Sequence, residues 1–495
     1  MISSFDPATR ALYRRALAPA LSKGKVFEFD FSPLDHLGIP LWTIAVIGED
    51  GALSDGFGYG PSLEYAQTSG YGEALEWFWT REALKICPRR YGTWAQISQD
   101  AACVHPISCN LQAGDEFSEA DTRLEWVEVA RHPDGEKFWM PIEFVAPRRA
   151  DILCNAERGN LEVRSVAVPI TNGSGAGPDL EHAFAHGVLE LLQRDGNSVN
   201  YRALDRGIRV ELDDVRDPQT RELLASLERR DIEVIVKLAA LDFGMANVYV
   251  VGYDRNVEDA LSPISLSACG EAVHPDREFA LAKALREFVM ARSRKAFNHG
   301  PLAPIRRIAP EGYLEAFRPS SMRSEDERAL REMRGWMKMS HAEIFEMLRD
   351  PIFQTRERVR FSDLPHTSVE GASERLRLLT ERLNAENLEI FTFDASPLDQ
   401  SVRVVKVIVP GLEVETMTYE RIGRRNLHRL LERGSNLVGE GTAPEGAHPI
   451  RLMGEDDRRF WFNSREKERI IGPLYPLYRE PGRHVLGFEE ELAHR

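Results

Sequence analysis

The chain has 495 residues, 43% of them hydrophobic and 28% charged. That mixture excludes a disordered protein and suits a globular one too long for a single ordinary core. A formal net charge of −15 excludes a general nucleic-acid coat, because phosphate binding wants a basic face.

In chain order, the first 25 residues are amphipathic and hold no apolar run long enough for a signal peptide. The run Leu41 to Ile47 stops well short of the roughly 18 residues of a membrane span. Helical periodicity is expected over Glu64 to Arg81, Asp179 to Arg194 and Glu278 to Ala296. Strands rich in β-branched residues are expected over Leu161 to Ile170, Ile232 to Tyr253 and Ser401 to Val409, the last closed by Pro410-Gly411. Ser324 to Arg349 is highly charged and helical, and reads as a surface excursion. No low-complexity linker divides the chain. The expectation is an α+β fold: one large domain over 45–430 with a charged helical excursion at about 320–350, an N-terminal extension over 1–44 and a C-terminal extension over 431–495. Five cysteines, at 87, 103, 109, 154 and 269, include no CxxC pair. An odd, scattered set points to a reducing cytoplasm rather than a disulfide framework.

Comparing the chain with itself reveals a threefold repeat. GYGPSLEYAQTSGYGEALEW (Gly58 to Trp77) aligns without a gap on GAGPDLEHAFAHGVLELLQR (Gly175 to Arg194). Pro61, Leu63, Glu64, Ala66, Gly70 and Glu73 fall on Pro178, Leu180, Glu181, Ala183, Gly187 and Glu190. A third copy, HPDREFALAKALREFVMAR, puts Pro275, Glu278, Ala280 and Glu287 in the same register. Proline followed by glutamate is a helix start, so Glu64, Glu181 and Glu278 are read as structural. Gly70, Gly187 and Ala284 would let each helix approach a neighbour closely.

The later glutamates differ. Glu73, with Glu76 one turn on, Glu190 and Glu287 lie among apolar neighbours, where a carboxylate is costly unless paired or bound to a cation. Three related helices each delivering one suggest a shared centre for a hard metal, and Mg²⁺ is favoured because it takes oxygen ligands and accompanies nucleotide phosphates. Ion pairs to Arg81, Arg194 or Arg292 are the alternative, and spacing leaves both open.

These segments resemble the motifs of the YcaO family. Ser69, Glu73 and Glu76 match SxxxExxER. Asn172-Gly173, Ala176-Gly177, Glu190 and Arg194 match the NGxxAG loop and its ExxER helix. Lys283, Ala284, Leu285, Glu287 and Arg292 follow RALxExxQxR. VIVPGLE (Val407 to Glu413) and Arg424-Arg425 resemble the family's later part. The resemblance covers about residues 45–430 and implies a YcaO-type domain of repeated strand, glycine-loop and helix units without a Walker A sequence; GxxxxGK[ST] is indeed absent. It further implies ATP and Mg²⁺ as cofactors, with Glu73, Glu76, Glu190 and Glu287 on the metal and Ser69, Asn172, His182, Arg194, Lys283 and Arg292 on ATP. The implied activity is that of an ATP-dependent cyclodehydratase or thioamide synthetase acting on backbone amides of a ribosomally made precursor peptide, with a ThiF-like or TfuA-like partner protein and a homodimer allowed.

Four positions depart from the family pattern: Trp77, His182, Gln193 and Met290. The C-terminus, YPLYREPGRHVLGFEEELAHR, is not the proline-rich tail of many azoline-forming members. A non-catalytic YcaO-like scaffold or regulator in a peptide-modification complex is therefore the second reading. Local alternatives are weaker. His182 and His186 form an HxxxH pair without a further zinc ligand, and the GSGAG run lacks a dinucleotide-binding context. Cys103 and Cys109 read as buried apolar residues, and Arg421, Arg424, Arg425 and Arg429 as a solvated helix face rather than a phosphate or leader-peptide site.

Overall fold

Each repeat is a strand followed by a helix packed so closely on it that no side chain fits between them. A Cβ on Gly58 would lie 1.7 Å from the Ala66 carbonyl oxygen, and one on Gly175, 117 positions later, 2.1 Å from that of Ala183. A second close approach recurs three times, as Gly56 on Gly70, Gly173 on Gly187, and Gly270 on Ala284. The computed structural model thus gives the repeat as strand Leu53–Tyr59 with helix Leu63–Ile86, strand Ser174–Gly177 with helix Leu180–Asn197, and strand Cys269–His274 with helix Arg277–His299. The structure describes residues 7–22, 24–49, 51, 53–152, 163–199, 202–321, 326–414, 418, 420–455 and 457–493.

The chain divides into two compact units. The first comprises Met1–Leu75, Asn200–Ser368 and Leu474–Arg495. It holds an antiparallel sheet of Gly24–Asp30, Leu41–Gly48 and Leu53–Tyr59, and a five-stranded sheet ordered Cys269–His274, Ala246–Asp254, Ile232–Ala240, Ile208–Glu211, Glu357–Arg360. The third repeat helix covers one face of the five-stranded sheet, burying Ala280, Leu281, Ala284, Leu285 and Phe288 against Val236, Val248 and Val250. The expected strand over Ile232 to Tyr253 is a hairpin, broken at Asp242–Gly244 where Phe243 takes a φ of 56°.

The second unit comprises Glu76–Val199 and Val369–Pro473. Its main sheet runs Arg89–Thr93, Arg123–His132, Ile390–Asp394, Arg403–Ile408, Ser174–Gly177, with Lys137–Pro141 beside the second strand. A small sheet of Val438–Glu440, Phe460–Asn463 and Ala447–Ile450 follows.

Two sequence expectations change. Residues 161 and 162 lie outside the described residues, and 163–170 form no strand: Val166 is buried but Val168 is exposed. In the described part of that stretch the Arg164 N–H donates to the Arg123 carbonyl at 2.9 Å, too little for a ladder. Of the charged stretch Ser324 to Arg349, residues 324 and 325 lie outside the described residues, and the rest holds two helices, Glu327–Trp336 and His341–Leu348, the second started by a Ser340–Glu343 capping box. It is more than a surface excursion, because Met333, Trp336, Ile344 and Leu348 are buried in a core with Ile235, Tyr249 and Val251. Cys87, Cys103, Cys109 and Cys269 form no disulfide with one another, and Cys154 lies outside the described residues.

Overpacking at the repeat contact is testable. Gly58→Ala should cost about 1–3 kcal/mol and lower Tm. Gly335→Ala, in a helix where an added Cβ meets nothing within 4 Å, should leave Tm unchanged or raise it. Equal shifts for the two would contradict the rigidity of the contact.

Candidate functional site

In the first unit, Glu73 projects from the first repeat helix back to its own strand, where its Oε2 accepts the Phe57 amide N–H at 2.7 Å. Its side chain keeps an open face to solvent, yet the surrounding protein strips away much of its water. That desolvation and the nearby Asp55 carboxylate push Glu73 up to about 7, against the Phe57 amide, Arg294 and Arg483. Glu287, on the third repeat helix, accepts the Tyr59 hydroxyl at 3.3 Å. Desolvation and then the Glu287 charge hold that phenol well above its ordinary value, with Glu73 adding to the effect. The strand Leu53–Tyr59 is therefore the platform on which the first and third copies present their carboxylates.

The second unit repeats the device. Glu190 Oε2 accepts the Gly173 amide at 2.9 Å, and Glu76 Oε1 accepts that of Ala176 at 3.0 Å. Gly173 has a φ of 89°, a conformation that favours glycine, and its turn aims the amide at Glu190. Lys406, on the neighbouring strand, is 1% exposed and donates to the Ile170 carbonyl at 2.7 Å. Desolvation pulls its ammonium down to about 7, against the pull of Glu190 and then Glu76.

The remaining expected residues are placed as follows. Asn172 donates its amide to the Val414 carbonyl. Arg194 Nη2 lies 3.7 Å from Glu190 Oε1. His182 is half exposed, its Nδ1 2.7 Å from the Asp179 carboxylate that caps its helix. Ser69 and Lys283 are partly buried on the first and third repeat helices. Arg292 departs from its expected role on ATP. It is fully buried, with Nη1 2.8 Å from Asp254 and Nε 3.2 Å from Asp35, so its charge is consumed in holding the third helix to the sheet.

The four positions that break the family pattern also have local accounts. Trp77 carries the Arg148 guanidinium 4.4 Å above its ring, and Arg148 also pairs with buried Asp151 at 3.0 Å. Gln193 is buried, and Met290 fills a core with Phe297. His182 satisfies Asp179. The arginine cluster is no solvated face: Arg421 donates to the Cys109 and Asn110 carbonyls, Arg425 and Arg429 pair with buried Asp195, and only Arg424, on Glu455, stays exposed. Desolvation pushes the Cys103 and Cys109 thiols up to about 11 and about 12, far from thiolate reactivity. Sequence reading missed Lys406, Arg483 and Asp55. A lone lysine inside the apolar run SVRVVKVIV was the available signal for the first; the Arg483–Asp55 pair joins residues too distant in the chain to be paired by inspection.

Among the described residues, no three His, Cys, Asp or Glu side chains gather closely enough to make a metal cage. Mg²⁺ does not require one, since it usually keeps waters and binds one or two carboxylates plus substrate phosphates. The donor chemistry fits: Glu73 is accessible, crowded by a second carboxylate, and anchored through one oxygen only.

Residues 57–413 match the model of the YcaO cyclodehydratase family, ATP- and Mg²⁺-binding. The chain belongs to the YcaO family. Its cofactors are ATP and Mg²⁺, and it is classed with ATP-dependent enzymes. An uncharacterized protein of Methanothermobacter thermautotrophicus is 26% identical over 404 residues, covering 80% of this chain and 91% of the relative. The fold is similar to YcaO from Methanopyrus kandleri bound with AMPPCP and Mg²⁺, at a TM-score of 0.57 and 21% identity, covering 85% of this chain and 94% of the other. A heterocyclase in complex with substrate and cofactor gives a TM-score of 0.59 at 17% identity, with 86% of this chain on 54% of that one. No described helix is long and apolar enough to cross a membrane.

The carboxylate pressure on Glu73 has a definite sign. At about 7 its pKa lies above the ordinary carboxylate value of 4.5, so ionisation costs more in the folded state than in the unfolded one. Without divalent metal, this group lowers stability progressively as pH rises from about 4.5 through about 7. Glu73→Gln, which can still accept the Phe57 amide, should raise Tm above that of the wild type at pH 8. The two should coincide at pH 4, a comparison that thermal melts in EDTA can make.

Proposed function

We propose that this YcaO chain activates backbone amides of a ribosomally made precursor peptide, using ATP and Mg²⁺, and that the product is an azoline formed by cyclodehydration. The supporting observation is the orientation of the repeat glutamates. Glu73, Glu76 and Glu190 each give one oxygen to a backbone amide of a repeat strand or its glycine loop, and such second contacts orient a carboxylate for a metal. In this reading Glu73, Glu76, Glu190 and Glu287 hold Mg²⁺, and Ser69, Asn172, His182, Arg194 and Lys283 contact the nucleotide, Arg292 being spent on Asp254 and Asp35. When bound, ATP supplies a phosphoryl group that turns the oxygen of the nucleophile–amide adduct into a leaving group. The chain's residues bind and orient; Lys406, poised near neutrality beside Glu76 and Glu190, balances their charge. A ThiF-like partner would present the peptide. A TfuA-like partner with an external sulfide would direct the same activation to a thioamide.

A non-catalytic scaffold remains the competing reading, on the strength of Trp77, His182, Gln193 and Met290. Burial of Gln193 and Met290 and the guanidinium over Trp77 speak for an intact site.

Calorimetric titration of ATP with Mg²⁺ into the purified protein should show micromolar binding that Glu190→Ala abolishes. Given a cognate peptide and partner, the wild type should release ADP and phosphate as the peptide loses one water per modified residue. Exchange of one oxygen for sulfur would shift the product to a thioamide. Absence of nucleotide binding with peptide and partner present would leave the scaffold as the better account.

A further inference from the structure

The third repeat helix carries a buried cation that makes no ion pair with any described carboxylate. Arg286 is 8% exposed, and its guanidinium makes one hydrogen bond, Nη1 to the Ala282 carbonyl one turn back, at 3.3 Å. No carboxylate among the described residues reaches it within ion-pair distance. Its neighbours in the same unit are treated differently: Arg292 has Asp254 and Asp35, Arg483 has Asp55, and Lys295 has Glu480. Burial depresses the Arg286 pKa, and only Tyr65, Asp217 and Tyr59 act the other way. A guanidinium does not shed its proton to escape, and an uncompensated buried charge is costly. Among the described residues its charge therefore has no ion pair, which leaves a place for an anion from outside.

The surroundings select the class of anion. Arg286 precedes Glu287, and Tyr59, which acts on Arg286, also donates to the Glu287 carboxylate. Lys283, three residues earlier and so on the neighbouring part of the helix surface, is partly buried and has no ion pair among the described residues. Two cations beside a carboxylate suit a ligand that brings several negative oxygens together with a divalent metal, and the guanidinium fork matches phosphate geometry. Position 286 is a variable letter of RALxExxQxR, so no motif assigns it.

We propose that Arg286 holds an anionic oxygen of the nucleotide's polyphosphate, with Lys283 as its companion and Glu287 on the accompanying Mg²⁺. This rests on the ATP and Mg²⁺ site proposed above and adds a specificity residue to it: Arg286 makes the site favour triphosphate over adenosine.

The test uses the full-length wild type, Arg286→Met and Arg286→Lys, titrated calorimetrically with ATP and Mg²⁺ and melted with and without Mg²⁺ and sodium tripolyphosphate. Arg286→Met should weaken ATP binding by about tenfold or more, and Arg286→Lys by less. The ligand-free Tm of Arg286→Met should equal or exceed that of the wild type, because a structural arginine would lower Tm on removal and a ligand-binding one does not. Wild-type affinity in Arg286→Met would overturn the inference while leaving the ATP site standing. A fall in ligand-free Tm that Arg286→Lys reverses would overturn it in favour of a packing role. If the wild type binds no ATP, the functional reading fails and the melts decide Arg286 alone. Stabilisation by tripolyphosphate that Arg286→Met lacks would support the anion site; no stabilisation would overturn that too.

Discussion

A carboxylate carried on the inward face of a helix needs a donor, and for Glu73, Glu76 and Glu190 the donor is the backbone of a strand or loop in the same unit. Helix and strand can come close enough only because Gly58, Gly175 and Gly270 leave no Cβ between them. In the first two copies the contact that packs the repeat therefore orients its glutamate, Glu73 on the Phe57 amide and Glu190 on that of Gly173, while Glu287 of the third takes the Tyr59 hydroxyl. Packing and site chemistry are one constraint. A side chain at the glycines would displace the helix, and with it the carboxylate that the helix presents.

Around that constraint the two units handle charge differently. In the first, most buried cations are matched in place, Arg292 by Asp254 and Asp35 and Arg483 by Asp55, and Arg483 also lies over the rings of Phe57, Phe297 and Phe317. Those pairs hold the third repeat helix and the segment after residue 474 in one core. Arg286 is left over. In the second unit, Lys406 is held near neutrality by desolvation while Glu190 and Glu76 favour its charged form. Buried charge without a local partner marks where a ligand completes the electrostatics; complete pairing marks structure.

Much of this was legible from residues in order. The three helices lie where periodicity put them, and the repeat register, with Gly70, Gly187 and Ala284 at the close approach, survives intact in three dimensions. The strand expected over 161–170 did not form, since β-branched composition reports a side chain's fit to a sheet and not whether a partner strand is at hand. The charged stretch after residue 324 hid a buried stripe, because four apolar side chains at helical spacing are easily outweighed by the charges between them.

By itself the sequence determined the α+β class, the repeat and the YcaO motifs, because each of these is a local pattern of spacing and residue type, and it singled out four glutamates as candidates. Only the tertiary structure decided which arginines are spent. Arg292 matches a motif letter yet is consumed by Asp35 and Asp254, whereas Arg286 matches none and is left without a carboxylate. The physical reason is that a charge's role depends on what stands within a few ångströms of it, and Asp35 and Arg292 lie 257 residues apart in the chain.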